Sequence, residues 1–563
     1  MDDREFQDIK SAQESWEAEN AEEFRKERKR EFSLDCGIPL RRVYTPLDLA
    51  EKGFDYLKDV GLPGEYPYTR GISPTMYRGE LWRISQYSGH PTPEDCNRLW
   101  KAQIAAGGNV IYIAYDLPSQ LGYDPDNPRA EGEVGRVGVS LTSQRDWEIA
   151  FDGIDIAKVA VFQVFNAPAV VGVANHICLA KKQGLELKHL QGVCQSDILK
   201  EYEARGNYIF PPGPSMRLVA DLLSYCGQHM PNYQATQACA LHQAEMGANA
   251  IHEIALGLAS AFEYIKVAVE RGIDVDTIAP GFNFLVTCDP QGFFEEIAKL
   301  RAMRRIFARV LKKQFKAKRP ESMKCKIYAG HGGMSVHREQ YLTNIGRAGI
   351  AGVAAALAGA QQIDLRPYDE QFGIPTKEAI INSIRVQHII ARETGIADTV
   401  DPLAGSYFVE WLTSEMEKAI TKELETIDEL GGVVKCIESG YIKRMIAQDA
   451  YKWQRAFEAG EMIRVGVNYF TSEVEEKPAQ VYRADPRVEE QRIEAVKQLK
   501  KERDNKKVRK ALDEVKEVAL MEPTVDNNIM PAVIQAVNCY ATVGEICDIL
   551  REVWGEYDEP SFL

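Results

Sequence analysis

The 563-residue chain lacks most of the short signatures that assign a function from sequence alone. It has no Gly-x-Gly-x-x-Gly after a strand-like run, no Gly-Lys-Ser/Thr phosphate loop and no His-Glu-x-x-His zinc motif. Its eleven cysteines are scattered without a Cys-x-x-Cys pair, and only nine histidines occur. These absences exclude the common dinucleotide, nucleotide and zinc-protease classes. They also predict a reduced, cytoplasmic protein without a metal site.

Membrane and nucleic-acid binding are disfavoured as well. No apolar run reaches the roughly 18 residues that span a bilayer, and the first thirty residues are too charged for a secretory signal. The net charge of −15 gives no general attraction for a phosphate backbone. The basic clusters at residues 26–30 and 500–503 also contain acidic residues, which is typical of solvated helix faces. We therefore expect neither membrane nor nucleic-acid partners.

Composition divides the chain into three parts. Residues 1–40 are rich in Glu, Lys and Arg, with apolar residues at helical spacing, which indicates an amphipathic arm in contact with another subunit. Residues 41–425 alternate short apolar runs with long helical stretches. Residues 426–563 are helical and charged, and residues 487–520 have apolar and charged residues at 3.6-residue spacing. Near the end, Thr542 and Glu545 have the spacing of a capping box at the start of a final helix.

The middle part has the pattern of a parallel α/β fold. Strand-length apolar runs occur at residues 110–115, 159–165, 192–195, 237–241, 282–286 and 324–328. Helical stretches such as 168–183 and 295–315 lie between them, and this alternation implies parallel pairing. About eight such units in some 360 residues fit a (β/α)8 TIM barrel better than an open sheet. We predict this barrel, with an N-terminal helical arm and a C-terminal helical extension.

Polar residues follow several of the predicted strands. They are Asp116, Asn166, Gln195, His242 and Asp289. The carboxyl ends of barrel strands hold the chemistry of such enzymes, so these residues are candidates for a site. Asp or Asn at such a position can instead cap the next helix, and an isolated histidine at a core edge is more often structural. The glycine-rich passage at residues 328–333 is compatible with a bound ligand or with a tight turn.

Longer motifs carry a resemblance to a known family. They are YPYTRG at 66–71, PTMY at 74–77, QSDILKE at 195–201, DPLAGS at 401–406 and ATVGEI at 541–546. These strings strongly resemble the large subunits of adenosylcobalamin-dependent acyl-CoA mutases, the methylmalonyl-CoA mutase family, from about residue 40 onward. The resemblance implies a barrel along whose axis the pantetheine arm of CoA threads. It also implies adenosylcobalamin as the cofactor.

The cobalamin-binding domain of this family carries an Asp-x-His-x-x-Gly motif, which this chain does not contain. The resemblance therefore implies that the cofactor is held mainly by a separate small subunit. The expected assembly is a heterodimer or a heterotetramer. The charged arm and the helical region after residue 425 are the candidate docking elements.

Four residues match family positions at the reacting centre. His242 matches the histidine that hydrogen-bonds the thioester carbonyl, and Gln195 matches the glutamine beside it. Tyr87 matches the tyrosine of methylmalonyl-type enzymes, where the isobutyryl type has Phe. Arg205 matches the arginine that grips a free carboxylate, where the isobutyryl type has Gln. The resemblance thus implies a substrate with a free carboxylate. Further substrate contacts are expected from Thr75, Met76, Arg83, Ser85 and Arg366.

The expected cofactor contacts include several departures from the family. Glu370 matches the ribose-contacting glutamate, whereas Tyr328 and Gly330 replace a histidine and a glutamine around the adenosyl ribose. Leu241 replaces the tyrosine before the catalytic histidine. The remaining predicted contacts are Gly333 and Asp116. Residues 82–85 exchange the family's Thr and Arg positions, and residues 363–366 replace its Leu-His-Thr-Asn string.

Two of these departures remove side-chain volume: leucine replaces tyrosine at 241, and glycine replaces glutamine at 330. They predict a pocket wider than methylmalonyl-CoA needs.

The resulting hypothesis is a radical 1,2-rearrangement of an aryl- or alkyl-substituted succinyl-CoA to the corresponding malonyl-CoA. Three alternatives stay open at this point. The chain could be the large subunit of an ordinary methylmalonyl-CoA/succinyl-CoA mutase. It could be a cobalamin-independent barrel lyase or aldolase that uses Asp116 and His242 as acid and base. It could also be an inactive scaffold subunit, given the altered ribose contacts.

Overall fold

The computed structural model describes residues 3–472, Asp485 and residues 487–559. Ten short parallel strand segments form its centre. They are β1 (Arg83–Ser85), β2 (Tyr87–Ser88), β3 (Val110–Ala114), β4 (Ala160–Val164), β5 (Gly192–Gln195), β6 (Tyr233–Gln234), β7 (Thr236–Cys239), β8 (Phe282–Thr287), β9 (Ile327–Gly330) and β10 (Gln362–Asp364).

These segments make up eight barrel strands, because two strands are each split by one residue. β1 and β2 are separated by Gln86, and β6 and β7 by Ala235. β1 pairs with β10 and β2 with β3, while β6 pairs with β5 and β7 with β8. The hydrogen-bonded ladders therefore form two five-stranded sheets, β1-β10-β9-β8-β7 and β2-β3-β4-β5-β6, which chain continuity joins into the barrel. The predicted (β/α)8 fold is confirmed.

Helices surround the barrel and form both flanking regions. Before the barrel lie Asp3–Glu19, Ala21–Phe24 and Pro46–Ala50. Around it lie Pro93–Ala105, Leu117–Gln120, Gln144–Ala150, Ala169–Lys182, Pro212–His229, Leu241–Glu245, Ala250–Glu270, Val275–Ile278, Phe293–Lys313, Asn344–Leu357 and Lys377–Glu393. After it lie Tyr407–Glu429, Val433–Glu438, Tyr441–Glu458, Arg487–Glu502, Asn505–Leu520, Met530–Asn538 and Val543–Trp554.

The barrel strands are buried on both faces, which explains their nearly continuous apolar sequence. A large outer core packs between the strands and the helices. A separate inner cluster fills the barrel. It consists of Val110, Tyr112, Ala160, Phe162, Val164, Val193, Cys239, Leu241, Leu285 and Tyr328, with Tyr87 packed against it. The interior of the barrel is therefore apolar and rich in aromatic rings.

The C-terminal helices pack on the barrel rather than extending from it. The predicted capping box is confirmed: Thr542 accepts a hydrogen bond from the Glu545 amide, and Glu545 accepts one from the Thr542 amide. Arg492 forms a buried ion pair with Asp146 at 2.6 Å. Helix Tyr407–Glu429 runs across residue 425, where the sequence suggested a boundary.

The helical spacing over 487–520 corresponds to two helices, because the Asp504 side chain accepts from the backbone N–H groups of Lys506 and Lys507 and starts a second helix. The expectation of a solvated face at 500–503 holds for only half of this cluster, since Lys501 and Glu502 are exposed whereas the other two residues form ion pairs. Lys500 pairs with Asp124 at 3.0 Å, and Arg503 pairs with Glu545.

The N-terminal arm is helical and mostly exposed. Trp16 packs on Phe24 with ring centroids 5.2 Å apart, and the Arg42 guanidinium lies 3.8 Å from the centre of the Phe24 ring. Contact of the arm with another subunit stays a prediction. Within the described residues, none of the helices combines the length and the apolar content needed to cross a bilayer.

Candidate active site

His242 lies at the carboxyl end of the barrel, in the short helix that follows β7. Its Nδ1 atom is 3.2 Å from the thiol sulfur of Cys239, the last residue of that strand. Burial lowers the pKa of His242 well below its usual value, and the positive charges of Lys200, Arg205 and Arg366 lower it further. The imidazole is therefore neutral at physiological pH.

Gln195 ends β5 and is buried. Its Nε2 group donates to the Oε1 atom of Gln237 at 3.2 Å. Its own Oε1 atom is buried and has no hydrogen-bond partner among the described residues. A buried acceptor of this kind costs free energy unless a bound group satisfies it, so Gln195 has the character of a binding residue.

Arg205 is the last residue of the π-helical turn Glu201–Arg205, which follows β5. Its Nη1 group donates to Glu201 at 3.1 Å. Glu201 is fully buried and also accepts from the Lys200 ammonium and from the backbone N–H of Asn207. The Arg205 side chain retains 22% exposure, so Glu201 orients a guanidinium whose other N–H groups are free to grip an anion.

Tyr87 opens β2, and its backbone N–H donates to Asp364 at 3.3 Å. Its ring packs edge-on against Tyr112, with centroids 4.9 Å apart. Burial raises the pKa of the Tyr87 hydroxyl, and the positive charges of Arg205 and Arg366 act against this rise. Tyr87 thus lies within electrostatic range of both guanidinium groups, as His242 does.

Arg366 follows β10 and joins a charged group on the same side. Its Nε donates to the backbone carbonyl of His331 at 3.0 Å, and its Nη atoms lie 3.5 Å from Glu370 and 3.9 Å from Glu245. Burial raises the pKa of Glu370 to about 7. Glu245 also accepts from the backbone N–H of Gly333 at 2.7 Å. Three residues with predicted substrate or cofactor roles therefore lie in one group: Arg366, Glu370 and Gly333.

Gly330 ends β9 and lies against Leu241. A Cβ atom at Gly330 would lie 2.9 Å from the Leu241 Cδ1 atom and 3.3 Å from the Leu285 Cδ1 atom. The two leucines therefore fill the space beside this glycine. The space that the absence of a side chain at residue 330 was expected to leave is therefore occupied.

A cavity of about 540 Å³ opens at the amino-terminal end of the barrel. Thr75, Met76 and Arg83 line it, and Phe162 and Tyr328 form its inner limit. Lys326 also lines it, and burial lowers the pKa of this lysine to about 8. Three of the predicted substrate residues are thus grouped at one mouth, far from the strand ends that carry His242 and Arg205.

Aromatic residues connect this cavity with the opposite end of the barrel. Tyr328 hydrogen-bonds Ser85 at 3.1 Å and packs against Tyr112 with centroids 5.6 Å apart. Tyr112 in turn packs against Tyr87. Ser85 therefore contacts the rings between the two groups of residues rather than the mouth itself.

Asp116 is placed differently from the other candidates. One of its carboxylate oxygens accepts from the Ser119 backbone at 3.1 Å, and the other accepts from the Gly135 backbone at 2.8 Å. Burial raises the pKa of this carboxyl group to about 6. Its contacts are those of a helix cap, the alternative that the sequence left open.

Sequence reasoning missed three residues of this site: Cys239, Glu201 and Tyr112. A signal existed for two of them. Cys239 precedes His242 by three residues, which suits a contact across a strand-to-helix junction, and Glu201 precedes Arg205 by four, the spacing of a helical ion pair. Tyr112 lay inside an apolar run, and only the strand register places it beside Tyr87.

Comparison with known proteins adds to this geometry. The sequence model of the family "Methylmalonyl-CoA mutase" matches residues 34–556. The chain is 38% identical over 554 residues to the 2-hydroxyisobutanoyl-CoA mutase large subunit of Aquincola tertiaricarbonis, covering 98% of this chain and 97% of that protein. It is 35% identical over 522 residues to the methylmalonyl-CoA mutase of Rhizobium meliloti (strain 1021), covering 92% of this chain and 72% of that protein. The human mitochondrial methylmalonyl-CoA mutase is 35% identical over 524 residues, with 92% and 68% covered.

Proposed function

The chain belongs to the methylmalonyl-CoA mutase family, and on that basis we propose that it is the catalytic large subunit of an adenosylcobalamin-dependent mutase. It is an isomerase that rearranges the carbon skeleton of an acyl-CoA. A two-subunit enzyme is supported by the name of one relative, a mutase large subunit that is 38% identical to this chain. The proposal requires a small cobalamin-binding subunit as the partner.

The observation that carries the proposal is the group formed by Arg205, Tyr87 and His242. The buried Glu201 carboxylate orients Arg205, whose free N–H groups suit a substrate carboxylate through charge-assisted hydrogen bonds. The neutral imidazole of His242 suits a thioester carbonyl, on which negative charge develops during rearrangement. A carboxylated acyl-CoA carries both of these groups.

The chain also offers residues for the cofactor and for CoA. Adenosylcobalamin, when bound, supplies the radical chemistry that a carbon-skeleton rearrangement requires. Glu370, with 26% of its side chain exposed beside Arg366, would accept hydrogen bonds from the ribose. The apolar inner cluster of the barrel would exclude water from the reacting centre. The cavity lined by Thr75, Met76 and Arg83 would hold the CoA end, and the rings behind it would shift to admit the pantetheine arm.

For the acyl group, we propose an aryl- or alkyl-substituted succinyl-CoA that rearranges to the corresponding malonyl-CoA. The support is the chemistry of the surrounding surface: Leu241, Leu285 and Tyr112 belong to the inner cluster against which Tyr87 packs. Apolar and aromatic side chains favour an apolar substituent. Methylmalonyl-CoA is the alternative, since Leu241 occupies part of the space that glycine at 330 releases. The lyase alternative has less support, because both oxygens of Asp116 bind backbone N–H groups.

The test is reconstitution with a purified small subunit loaded with adenosylcobalamin. Product formation is measured with phenylsuccinyl-CoA and with methylmalonyl-CoA, and the cob(II)alamin signal is followed by electron paramagnetic resonance. We expect both readouts to need both subunits, with a higher kcat/KM for phenylsuccinyl-CoA. A higher kcat/KM for methylmalonyl-CoA overturns the substrate proposal. Turnover by the isolated chain without cobalamin overturns the mutase proposal.

A further inference from the structure

The strongest unassigned contact in the site is the one between Cys239 and His242. The Cys239 sulfur lies 3.2 Å from Nδ1 of the imidazole, within hydrogen-bonding distance for sulfur. The position of Cys239 is itself fixed, because its backbone N–H donates to Asp197 at 2.6 Å. Asp197 in turn accepts from the Tyr264 hydroxyl at 2.6 Å. The thiol is therefore held against one particular nitrogen of His242.

The direction of this hydrogen bond follows from the protonation of the two groups. Burial raises the pKa of the Cys239 thiol to about 12, so the sulfur carries its proton at neutral pH. Burial and neighbouring positive charges keep His242 neutral, so its ring carries a single N–H. A thiol sulfur is a weak acceptor, whereas an unprotonated imidazole nitrogen is a good one. The stable arrangement has S–H donating to Nδ1, which leaves the ring proton on Nε2.

We propose that Cys239 is a positioning residue that fixes His242 in the Nε2–H tautomer. The consequence for catalysis rests on the proposed function: an Nε2–H group donates a hydrogen bond to the thioester oxygen, whereas the other tautomer presents a lone pair to it and repels it. Tautomer control by a partner on the second ring nitrogen is a general property of catalytic histidines. Here a buried thiol takes the place that a carboxylate or a carbonyl often has.

The first test measures the tautomer directly and needs no cofactor. Nitrogen-15 NMR of the purified chain, labelled at histidine, distinguishes protonated from unprotonated ring nitrogens, and a His242→Gln variant assigns the signal. We expect Nε2 to be the protonated nitrogen in the wild type and in Cys239→Ser, which keeps a donor. In Cys239→Ala we expect the Nδ1–H tautomer to appear. Cys194→Ala, which removes another buried thiol from the neighbouring strand β5, serves as the matched control.

The second test uses the reconstituted two-subunit enzyme. We expect kcat of Cys239→Ala to fall about tenfold or more, approaching the roughly 10²- to 10³-fold cost of losing a transition-state donor, with little change in KM. Cys239→Ser restores kcat, and Cys194→Ala leaves it close to the wild-type value. A protonated Nδ1 in the wild type, or an unchanged tautomer and kcat in Cys239→Ala, overturns the inference. If the tautomer responds as expected but the wild type rearranges no acyl-CoA, the proposed function is wrong and the tautomer assignment stands.

Discussion

The side chain of Leu241 occupies the space beside Gly330, with its Cδ1 atom 2.9 Å from the position that a Cβ at residue 330 would take. In the sequence these residues are two independent losses of bulk, 89 positions apart. In the folded barrel they are one complementary pair, because the end of β9 faces the helix start that follows β7. We therefore expect the two residues to act together in setting the specificity of the pocket.

Adding a side chain at residue 330 displaces Leu241 and Leu285. We expect Gly330→Ala to destabilise the protein by about 1–3 kcal/mol, the usual cost of overpacking a core. Truncation of the displaced neighbour relieves the clash, so the double variant Leu241→Ala/Gly330→Ala should lose less than the sum of the single changes. Urea denaturation of the three variants measures this coupling.

A matched control is Gly349→Ala, since a Cβ at that helical position meets nothing within 4 Å. It should be neutral or slightly stabilising. Additive stability losses in the double variant Leu241→Ala/Gly330→Ala would show that the two residues do not share one space.

The Gly330→Ala variant should also lower kcat/KM for phenylsuccinyl-CoA more than for methylmalonyl-CoA, because the displaced Leu241 narrows the pocket.

Thr542 connects the last helix to the barrel through two contacts. Its hydroxyl accepts from the Glu545 N–H at 3.2 Å and donates to the buried Asp124 carboxylate at 2.6 Å. We expect Thr542→Ala to cost about 2 kcal/mol, the upper range for loss of a cap, because Asp124 also loses a donor. Thr542→Ser keeps both contacts and should stay within about 0.5 kcal/mol of the wild type. Equal urea midpoints for the alanine and serine variants would contradict this.

Glu203 gives the protein a pH dependence of known sign. Burial raises the pKa of this carboxyl group from 4.5 to about 8, although Gln243 and Ser260 donate to it. Between these two values the folded state binds a proton that the unfolded state has released. The contribution of the neutral carboxyl group to the free energy of unfolding is therefore fully present below pH 4.5. It is lost as the pH rises to about 8, by at most about 1.4 kcal/mol per pH unit.

Glu203→Gln keeps a neutral side chain at every pH. We expect its stability relative to the wild type to increase steadily from pH 5 to pH 8 in urea denaturation. Glu429→Gln, at an exposed helix end, is the control and should follow the wild type throughout. A constant difference between Glu203→Gln and the wild type would mean that Glu203 is ionised in the fold.

Periodicity predicted the barrel strands well where both faces are buried. The run at 192–195 coincides with β5, and 110–115 exceeds β3 by one residue. The run at 324–328 was placed too early, since β9 begins only where Ile327 pairs with Phe284 of the neighbouring strand. The splits at Gln86 and Ala235 had no local signal, because they arise from a change of pairing partner.

The site also contains residues that the sequence could identify and contacts that it could not. Resemblance to the family identified His242 and Arg205, and local spacing could have added Glu201, four residues before Arg205 in the same turn. The contact between Leu241 and Gly330 joins two different βα units, so no local pattern carries it. Residue identity alone could not show that the Leu241 side chain lies in the space beside Gly330, so a wider pocket stays a prediction.

The proposed role of Arg205 is to bind the carboxylate of the substrate, and this role can be tested by substitution. Arg205→Gln removes the charge-assisted hydrogen bonds to a substrate carboxylate, an interaction whose loss costs about 2–5 kcal/mol in a buried pair. We therefore expect kcat/KM for a carboxylated acyl-CoA to fall by about 30- to 5000-fold, mostly through KM. Isobutyryl-CoA, whose acyl group has no carboxylate, should bind at least as well as to the wild type, because a guanidinium no longer lies against its apolar acyl group. Arg205→Lys should give an intermediate loss of kcat/KM, since the ammonium keeps the charge without the fork of donors.

Arg129→Gln changes an exposed arginine that pairs with Glu556, and this control should leave kcat/KM for both substrates unaffected. Equal losses of kcat/KM for acyl groups with and without a carboxylate would mean that Arg205 stabilises its turn and does not bind the substrate carboxylate.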